Sequence, residues 1–429
     1  MRLWRITNGM YIRVLVGALV WMGACDEEWS VPSSDAGNHG EVDASDPSDA
    51  EGVEGDAGFV PDPPLFVNQC GSDADCGEGR LCGPVESGIE GVCVLVPPSL
   101  GGVTDPVEEE PSELPIDLSC NGASGSPESG GVTGLSGIVD RFGSGPVTVG
   151  VEIRVFLADS FPADACDALP PQEMSACVQS IVEDPSGLVA STVSVAPPEL
   201  DCPNIPCESD AECPLGQACA GPTGEMECQL NFGLYELASI PVETPLVIVT
   251  RGGEGTTGWH RTVLWDVRIP ASAAGAGAHR YDPLIVAHGQ WVTVPNPFGV
   301  SISLGNGAVG GRIRQCEGDE GHAGWYLHEA TVGFANPPAK LGYFNDSEAD
   351  TLPDPNRVST NLFGRYTGLD ISPGPNHLVA AIKDESGVRF LGSRSFHVYP
   401  DTLSIVSLPG SVALVTQPGV GCPETGGTP

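Results

Sequence analysis

The chain has 429 residues, with 57 Asp and Glu against 18 Lys and Arg and a net charge of −39, a balance that repels phosphate backbones and excludes nucleic acid as a partner. A mean hydropathy of +0.00 excludes a membrane-embedded fold. Glycine and proline make up close to a quarter of the residues, roughly twice the usual share, which favours many turns and few long helices.

At the N-terminus, Arg2, Arg5 and Arg13 precede an apolar run from Val14 to Ala24. That run is too short to span a bilayer as a helix and suits a secretory signal, so residues 1–24 read as a signal peptide. The run ends in "MGAC", and small residues ahead of Cys25 resemble the lipobox of bacterial lipoproteins, with Met22 standing where leucine is usual. The resemblance implies that Cys25 is acylated and becomes the first residue of the mature protein. It further implies a place in the bacterial cell envelope, periplasmic or on the surface, with the lipid anchor as the membrane contact. Residues 25–66 are acidic and rich in Ser, Gly and Pro, without apolar periodicity. Such a segment cannot bury enough surface to offset its ordering entropy and reads as a disordered, extended tether.

Next comes a cysteine-rich knot over 67–96, expected to stand free of the modules, with "CGSDADCGEGRLC" from Cys70, and "CESDAECPLGQAC" repeats the pattern from Cys207. Both fit Cys-x-Ser-Asp-Ala-[Asp/Glu]-Cys-x-x-Gly-x-x-Cys, followed by a fourth cysteine at Cys93 or Cys228. They resemble the Dickkopf-like cysteine-rich segments of bacterial surface proteins. Of fifteen cysteines, acylation of Cys25 leaves fourteen: Cys70, Cys76, Cys82, Cys93, Cys120, Cys166, Cys177, Cys202, Cys207, Cys213, Cys219, Cys228, Cys316 and Cys422. An even set is compatible with seven disulfides in an oxidising compartment. A four-cysteine zinc site is the alternative, but structural zinc favours Cys-x-x-Cys pairs, and there are none. No cofactor is expected. The pairing within each four-cysteine motif stays open among three possibilities.

Residues 97–130 read as a flexible spacer. Strand signals follow. Val147, Val149, Val151, Ile153, Val155 and Leu157 alternate with other residues, the mark of a strand with one buried face. Further strands are expected at "LYELASI", "PLVIVT", "RTVLWDVRI" and "VSISL", each bounded by Gly or Pro. One stretch, "PQEMSACVQSIVED", spaces Met174, Cys177, Val178 and Ile181 by three and four and predicts a short amphipathic helix.

"NFGLYELASIPVETPLVIVT" from 231 and "NLFGRYTGLDISPGPNHLVAA" from 361 both run Gly-x-Tyr, strand, Pro, strand, an internal repeat that predicts two copies of one module. In the second copy Thr360, Gly364, Tyr366, Ile371, Pro373, Gly374 and His377 resemble the strand-turn-strand signature of the carboxypeptidase regulatory-like, transthyretin-like β-sandwich. In the first copy "VET" replaces the Pro-Gly turn. The implied opening strands are "GLSGIVDRF" at 134 and "GAVGGRIRQC" at 307. The fold class is therefore mainly β: two antiparallel transthyretin-like β-sandwich modules with disulfide-rich knots and a disordered tether. Module 1 covers 131–300, module 2 covers 301–416, and 417–429 form a tail. The resemblance implies a short loop between the second and third strands, so residues 158–230 read as a cysteine-rich insertion in a loop of module 1, which a surface loop accepts because closure entropy grows slowly with its length.

Candidate chemistry is sparse. "GNGAVG" at 305–310 matches Gly-x-Gly-x-x-Gly but is followed by a strand-like segment rather than a helix, so it reads as a tight turn. "NDSEAD" offers Asp346, Glu348 and Asp350 to a calcium ion, but Arg357 stands where an EF-hand requires glutamate. "HEA" at 328 lacks a second histidine at helical spacing, and there is no Gly-x-Ser-x-Gly elbow. Tyr366, His377 and Trp265 read as core or sheet-face residues. The function expected is that of a non-catalytic envelope lipoprotein displaying its modules to a protein or polysaccharide, or serving as a structural surface. The competing readings are a calcium-dependent adhesin and a secreted hydrolase with an acidic pair.

Overall fold

Strands carrying alternate buried residues dominate the computed structural model. It describes residues 68–85, 91–105, 111–112, 115–117, 131–143, 147–197, 206, 217–220, 227–230, 232–252, 258–270, 278–315, 325–346 and 352–408. The first knot is the three-stranded sheet of β1 (Gln69–Cys70), β2 (Arg80–Gly83) and β3 (Gly91–Leu95). After it, β4 (Gly102–Thr104) and β5 (Pro111–Ser112) lie within the segment read as a flexible spacer, and β4 pairs with a strand of module 2.

Module 1 opens with β6 (Val132–Ile138), β7 (Asp140–Phe142) and β8 (Val151–Leu157). Helix α1 (Pro171–Glu183), β9 (Leu188–Val193) and the hairpin β10 (Gln217–Ala220) and β11 (Glu227–Leu230) follow. The module closes with β12 (Leu234–Pro241), β13 (Leu246–Gly252), β14 (Trp259–Val267), β15 (Ala278–Arg280), β16 (Leu284–Ala287) and α2 (His288–Thr293). Its sandwich sets β12–β6–β15 against β9–β8–β13–β14, and Leu135, Val151, Ile153, Val155, Leu237, Ile240, Leu246 and Ile248 are buried between them.

The unbroken apolar run of β13 has a physical reason: both of its faces are covered. Leu246 and Ile248 enter the sandwich core, while Val247 and Val249 lie under α1 with Met174, Val178, Ile181 and Val182. The helix forms where the three-and-four spacing predicts it, with proline in its first turn and a disulfide between Cys166 and Cys177 holding it down.

Module 2 contains β17 (Gly307–Arg312), β18 (Tyr326–His328), β19 (Thr331–Phe334), β20 (Lys340–Phe344) and β21 (Pro353–Asp354). It continues through β22 (Arg365–Ile371), β23 (Gly374–Asp384), β24 (Gly387–Val398) and β25 (Thr402–Ile405). Val309, Phe334, Tyr366, Ile371, Leu378 and Phe396 pack in its core, between the sheets β19–β23–β24 and β25–β17–β22–β20–β21.

The repeat seen in the sequence is a repeat of register. Gly137 faces Tyr235 across β6 and β12, and Gly311 faces Tyr366 across β17 and β22. Tyr235 Oη donates to the Tyr281 carbonyl at 2.6 Å and Tyr366 Oη donates to the Val406 carbonyl at 2.5 Å. A Cβ on Gly137 would lie 2.3 Å from that same Tyr281 oxygen, and one on Gly311 would lie 1.8 Å from that of Val406. Each module thus needs a glycine opposite a tyrosine whose hydroxyl reaches the residue just beyond a third strand. Both pairs of strands then slip register at corresponding places, Leu237 to Ile240 and Gly368 to Ile371, through Ser239 and Asp370 at φ 60° and 57°. The Pro-Gly turn of module 2 places Gly374 at φ 125°, and Glu243 of "VET" also takes a positive φ, 55°. The turn keeps its handedness while losing its glycine.

The two modules share a sheet. β25 lies between them, parallel to β14 through Arg261–Thr402 to Leu264–Ile405 and parallel to β17 through Ala308–Leu403 to Gly310–Ile405. Among the named strands of the described residues, these pairings, that of β15 on β6 and that of β16 on β7 are parallel, and the rest are antiparallel.

Two expectations are corrected. "VSISL" is not a strand: Gly299 takes a left-handed φ of 66°, Ser303 N–H donates to Asp370 at 2.7 Å instead of to a ladder, and Leu304 is 91% exposed. The first knot does not stand free. Its β3 lies on the outer face of the β19–β23–β24 sheet, where Val92 packs with Ala335 and Val379. Asn68 Nδ2 donates to the Phe334 carbonyl at 2.9 Å, and Thr331 Oγ1 donates to the Leu95 carbonyl at 2.6 Å. Gly333 permits the approach, since a Cβ there would sit 2.4 Å from the Cys93 carbonyl oxygen.

Candidate functional site

The cysteines, the polar residues and the glycine shared by the motif each have a task in the first knot. Disulfides join Cys70 to Cys82 and Cys76 to Cys93. Asp73 accepts the Cys82 N–H at 2.8 Å, tying the turn to the hairpin. Asp75 accepts from Ser72 Oγ and from the Gly71 and Ser72 N–H groups, and these bonds hold its carboxyl below the usual range. Gly79 sits at φ 73°, which favours glycine there. The sulfurs of Cys70, Cys76 and Cys82 lie close enough together to suggest a metal cluster, but bonded in disulfides they offer no thiolate.

In the second copy the hairpin β10–β11 sets Cys219 opposite Cys228, as β2–β3 sets Cys82 opposite Cys93. The same register predicts the same pairing, Cys207 to Cys219 and Cys213 to Cys228. Peptide mapping of the unreduced protein checks this, and a fragment linking Cys207 to Cys213 refutes it. The side-chain chemistry differs between the copies. By the shared register, Glu227 and Gln229 occupy the places of Val92 and Val94, the residues that face module 2 in the first knot. Cys25, Cys120, Cys202, Cys207, Cys213, Cys316 and Cys422 fall outside the described residues.

The other sequence candidates resolve into structural contacts. Tyr366 is buried in the module 2 core, Trp265 packs against Phe161, and His377 Nδ1 lies 3.0 Å from Ser395 Oγ. His328 Nδ1 meets Thr104 Oγ1 at 3.0 Å, and burial lowers its pKa. The calcium candidate is already occupied at its first position. Asp346 Oδ2 accepts from Arg357 Nη1 at 2.7 Å and Asp346 Oδ1 from the Leu362 N–H at 2.9 Å. Glu348 and Asp350 lie outside the described residues. "GNGAVG" is a turn running into β17, with Gly305 at φ 88°.

Sequence reasoning missed two clusters near the module joint. In one, His260 of β14 stacks between His288 and Trp291, each ring centroid 4.5 Å away. Burial and the neighbouring His288 lower its pKa. In the other, Asp140 of β7 lies near Asp282, Arg312 and Arg365. Its pKa is pushed up to about 6, chiefly by burial, with Arg312 pulling the other way and Asp282 adding to the rise. Asp282 itself is held by Arg280 Nη2 at 2.8 Å and by the Ile138 N–H at 3.0 Å. No short-range pattern connects β7 with β17, so only the surplus of arginine over 312–314 hinted at a buried acid nearby.

Because the folded pKa of Asp140 lies above its ordinary value, the native state binds more protons than the unfolded chain between about pH 4 and pH 6, so this group's contribution to stability falls as pH rises through that window. Asp140→Asn is therefore expected to raise the melting temperature near neutral pH and to leave it almost unchanged in acid below about pH 4. Thermal melts across pH check both halves, and a variant destabilised equally at every pH contradicts the assignment.

No family model matches the chain, and no curated protein matches it. Among solved structures, the shaft pilin SpaA of Lactobacillus rhamnosus GG aligns over 66% of this chain and 100% of its own, at 10% identity and a TM-score of 0.17. The minor pilin of Streptococcus agalactiae aligns over 67% and 99%, at 10% identity and a TM-score of 0.16. Likeness of that size supports no argument about function.

Proposed function

We propose that the chain is a non-catalytic scaffold of the bacterial cell envelope, anchored through Cys25, that holds its second stapled hairpin out to a protein or polysaccharide. The observation that carries this reading is the division of labour between the two cysteine motifs. One uses valines to cover the outer face of a sheet. The other keeps the same hairpin register but places Glu227 and Gln229 at the corresponding positions. The same docking mode would bury a carboxylate against an apolar sheet, at a cost of several kcal/mol. A motif that the same pairing of cysteines would keep rigid, and that carries polar residues at these positions, suits recognition, because it would lose little freedom on binding.

The test is binding of the purified full chain in detergent to envelope polysaccharide and to envelope proteins, compared with a variant whose residues 207–228 are replaced by a Gly-Ser loop. Binding that disappears with the hairpin supports the reading, and binding that survives its removal overturns it. Incorporation of labelled fatty acid, lost in Cys25→Ala, checks the anchor separately. Among the described carboxyls, Asp140 has the raised pKa that suits the general acid of the hydrolase reading. Turnover of an envelope glycan by the wild type that Asp140→Asn abolishes would favour it.

A further inference from the structure

Arg261 of β14 is a guanidinium that lacks an acceptor. Its Nη1 is buried with no hydrogen-bond partner, and among the described residues the side chain forms no ion pair. Acids are not scarce in a chain with 57 of them, and Arg268, Arg280, Arg357, Arg389 and Arg394 each pair with a carboxylate. The register of the module 1 sheet explains the shortage at Arg261. Glu152 of β8 faces Arg251 of β13, and the pairing of Thr250 with Thr262 sets Arg261 beside Arg251 one step further on. Glu152 is shared between two arginines, accepting from Arg154 Nη1 at 3.0 Å and from Arg251 Nε at 2.7 Å. Glu183, the last residue of α1, accepts from Arg251 Nη1 at 3.3 Å and from Gln179 at 2.5 Å. On the other side of Arg261 the row continues with Thr402 of β25, which is neutral.

We infer that Arg261, with Arg251 alongside, receives the carboxylate group of an external ligand. Arg154, Arg251 and Arg261 stand against Glu152 and Glu183, so the cluster carries one positive charge in excess and a single negative charge completes it. Two like charges side by side on neighbouring strands oppose folding, and a largely buried cation without a partner is costly. Burial pushes the pKa of Arg261 down to about 10, Arg251 adds to the fall, and Tyr399 and Asp401 oppose it, which leaves the group charged at neutral pH. Tyr399 does not serve as its acceptor, since its hydroxyl donates to the Ala163 carbonyl at 3.1 Å. A planar guanidinium fork matches the two oxygens of a carboxylate. Access is open: Arg261 keeps part of its surface in solvent, and the Glu183 side chain beside Arg251 is 56% exposed. The site lies on the module 1 sheet and does not depend on what the second hairpin binds.

The experiment is thermal melting of the full chain in detergent at neutral pH while acetate, the simplest carboxylate, replaces chloride at constant ionic strength. The melting temperature of the wild type is expected to rise with acetate and to level off as the site fills. Arg261→Gln is expected to weaken acetate binding roughly tenfold to a hundredfold, the loss of one charge-assisted pair, and so to remove the rise over the same range. General effects of the salt would appear equally in that variant. Glu183→Gln releases Arg251 from a competing carboxylate, so half of the rise should come at a lower acetate concentration. The chain whose residues 207–228 are replaced by a Gly-Ser loop should respond as the wild type does, which separates this site from the second hairpin. A wild type indifferent to acetate, a rise that survives Arg261→Gln, or a rise lost with the hairpin overturns the inference. Should Arg261→Gln fail to fold, Glu183→Gln decides: a response that is unchanged or weaker there refutes the site.

Discussion

Ser404→Pro is expected to divide one cooperative unfolding transition into two. Ser404 is fully buried in the middle of β25 and is paired on one side with Val263 of module 1 and on the other with Val309 of module 2. Its hydroxyl also donates to the His397 carbonyl at 2.7 Å. Proline removes a backbone donor and forces its ring between two strands, a change of about 3 kcal/mol or more in a regular element. Most positions would spend that loss within one module, but here it falls on the shared strand. Module 1 keeps its own core between β6–β12 and β8–β13 and should unfold near its former temperature, while module 2 loses its last strand and unfolds earlier. Calorimetry of the two proteins checks this. A variant that still unfolds in one transition, displaced by a degree or two, would show that the modules are coupled by something other than β25.

How much of this was legible in the sequence depends on the range of the contact that shapes each element. β8 announces itself because Val151, Ile153 and Val155 are buried on one face and alternate with half-buried residues. β13 reads as a fully buried strand, although nothing local says that α1 covers its second face. The cysteine motif was legible as a staple because its requirements, Asp73, Asp75 and Gly79 at fixed offsets, are local. "VSISL" shows the limit of periodicity. Val300 and Ile302 do pack against Ala308, Leu369 and Leu403, so the alternation reports a real buried side. Burial at period two does not require a ladder, however, and the backbone there turns to Asp370 instead. The joint was illegible for a simpler reason. "TLSI" is four ordinary residues, and its role comes from lying between strands roughly a hundred or more residues earlier in the chain.

Gly311→Ala should cost about 3 kcal/mol or more, whereas Gly310→Ala, one residue away in the same strand, should cost little. The contrast is steric. A Cβ at 311 would lie 1.8 Å from the Val406 carbonyl oxygen and 2.8 Å from Tyr366 Oη. Neither group is a flexible side-chain end. The first belongs to the backbone just beyond β25, and the second is the hydroxyl of a buried tyrosine already bonded to that carbonyl. At 310 the nearest atoms are 3.7 Å away or further, ordinary van der Waals contact, and alanine there loses less backbone entropy on folding than glycine does. Denaturant titration of both variants gives the two free energies directly. Gly137→Ala extends the comparison to module 1, where the added carbon would meet the Tyr281 carbonyl at 2.3 Å. If the glycine opposite the tyrosine is a condition of the module itself, both Gly137→Ala and Gly311→Ala must destabilise strongly while Gly310→Ala does not. Equal small losses at all three positions would mean that the strands move apart freely, and the register shared by the two copies would then have no steric cause.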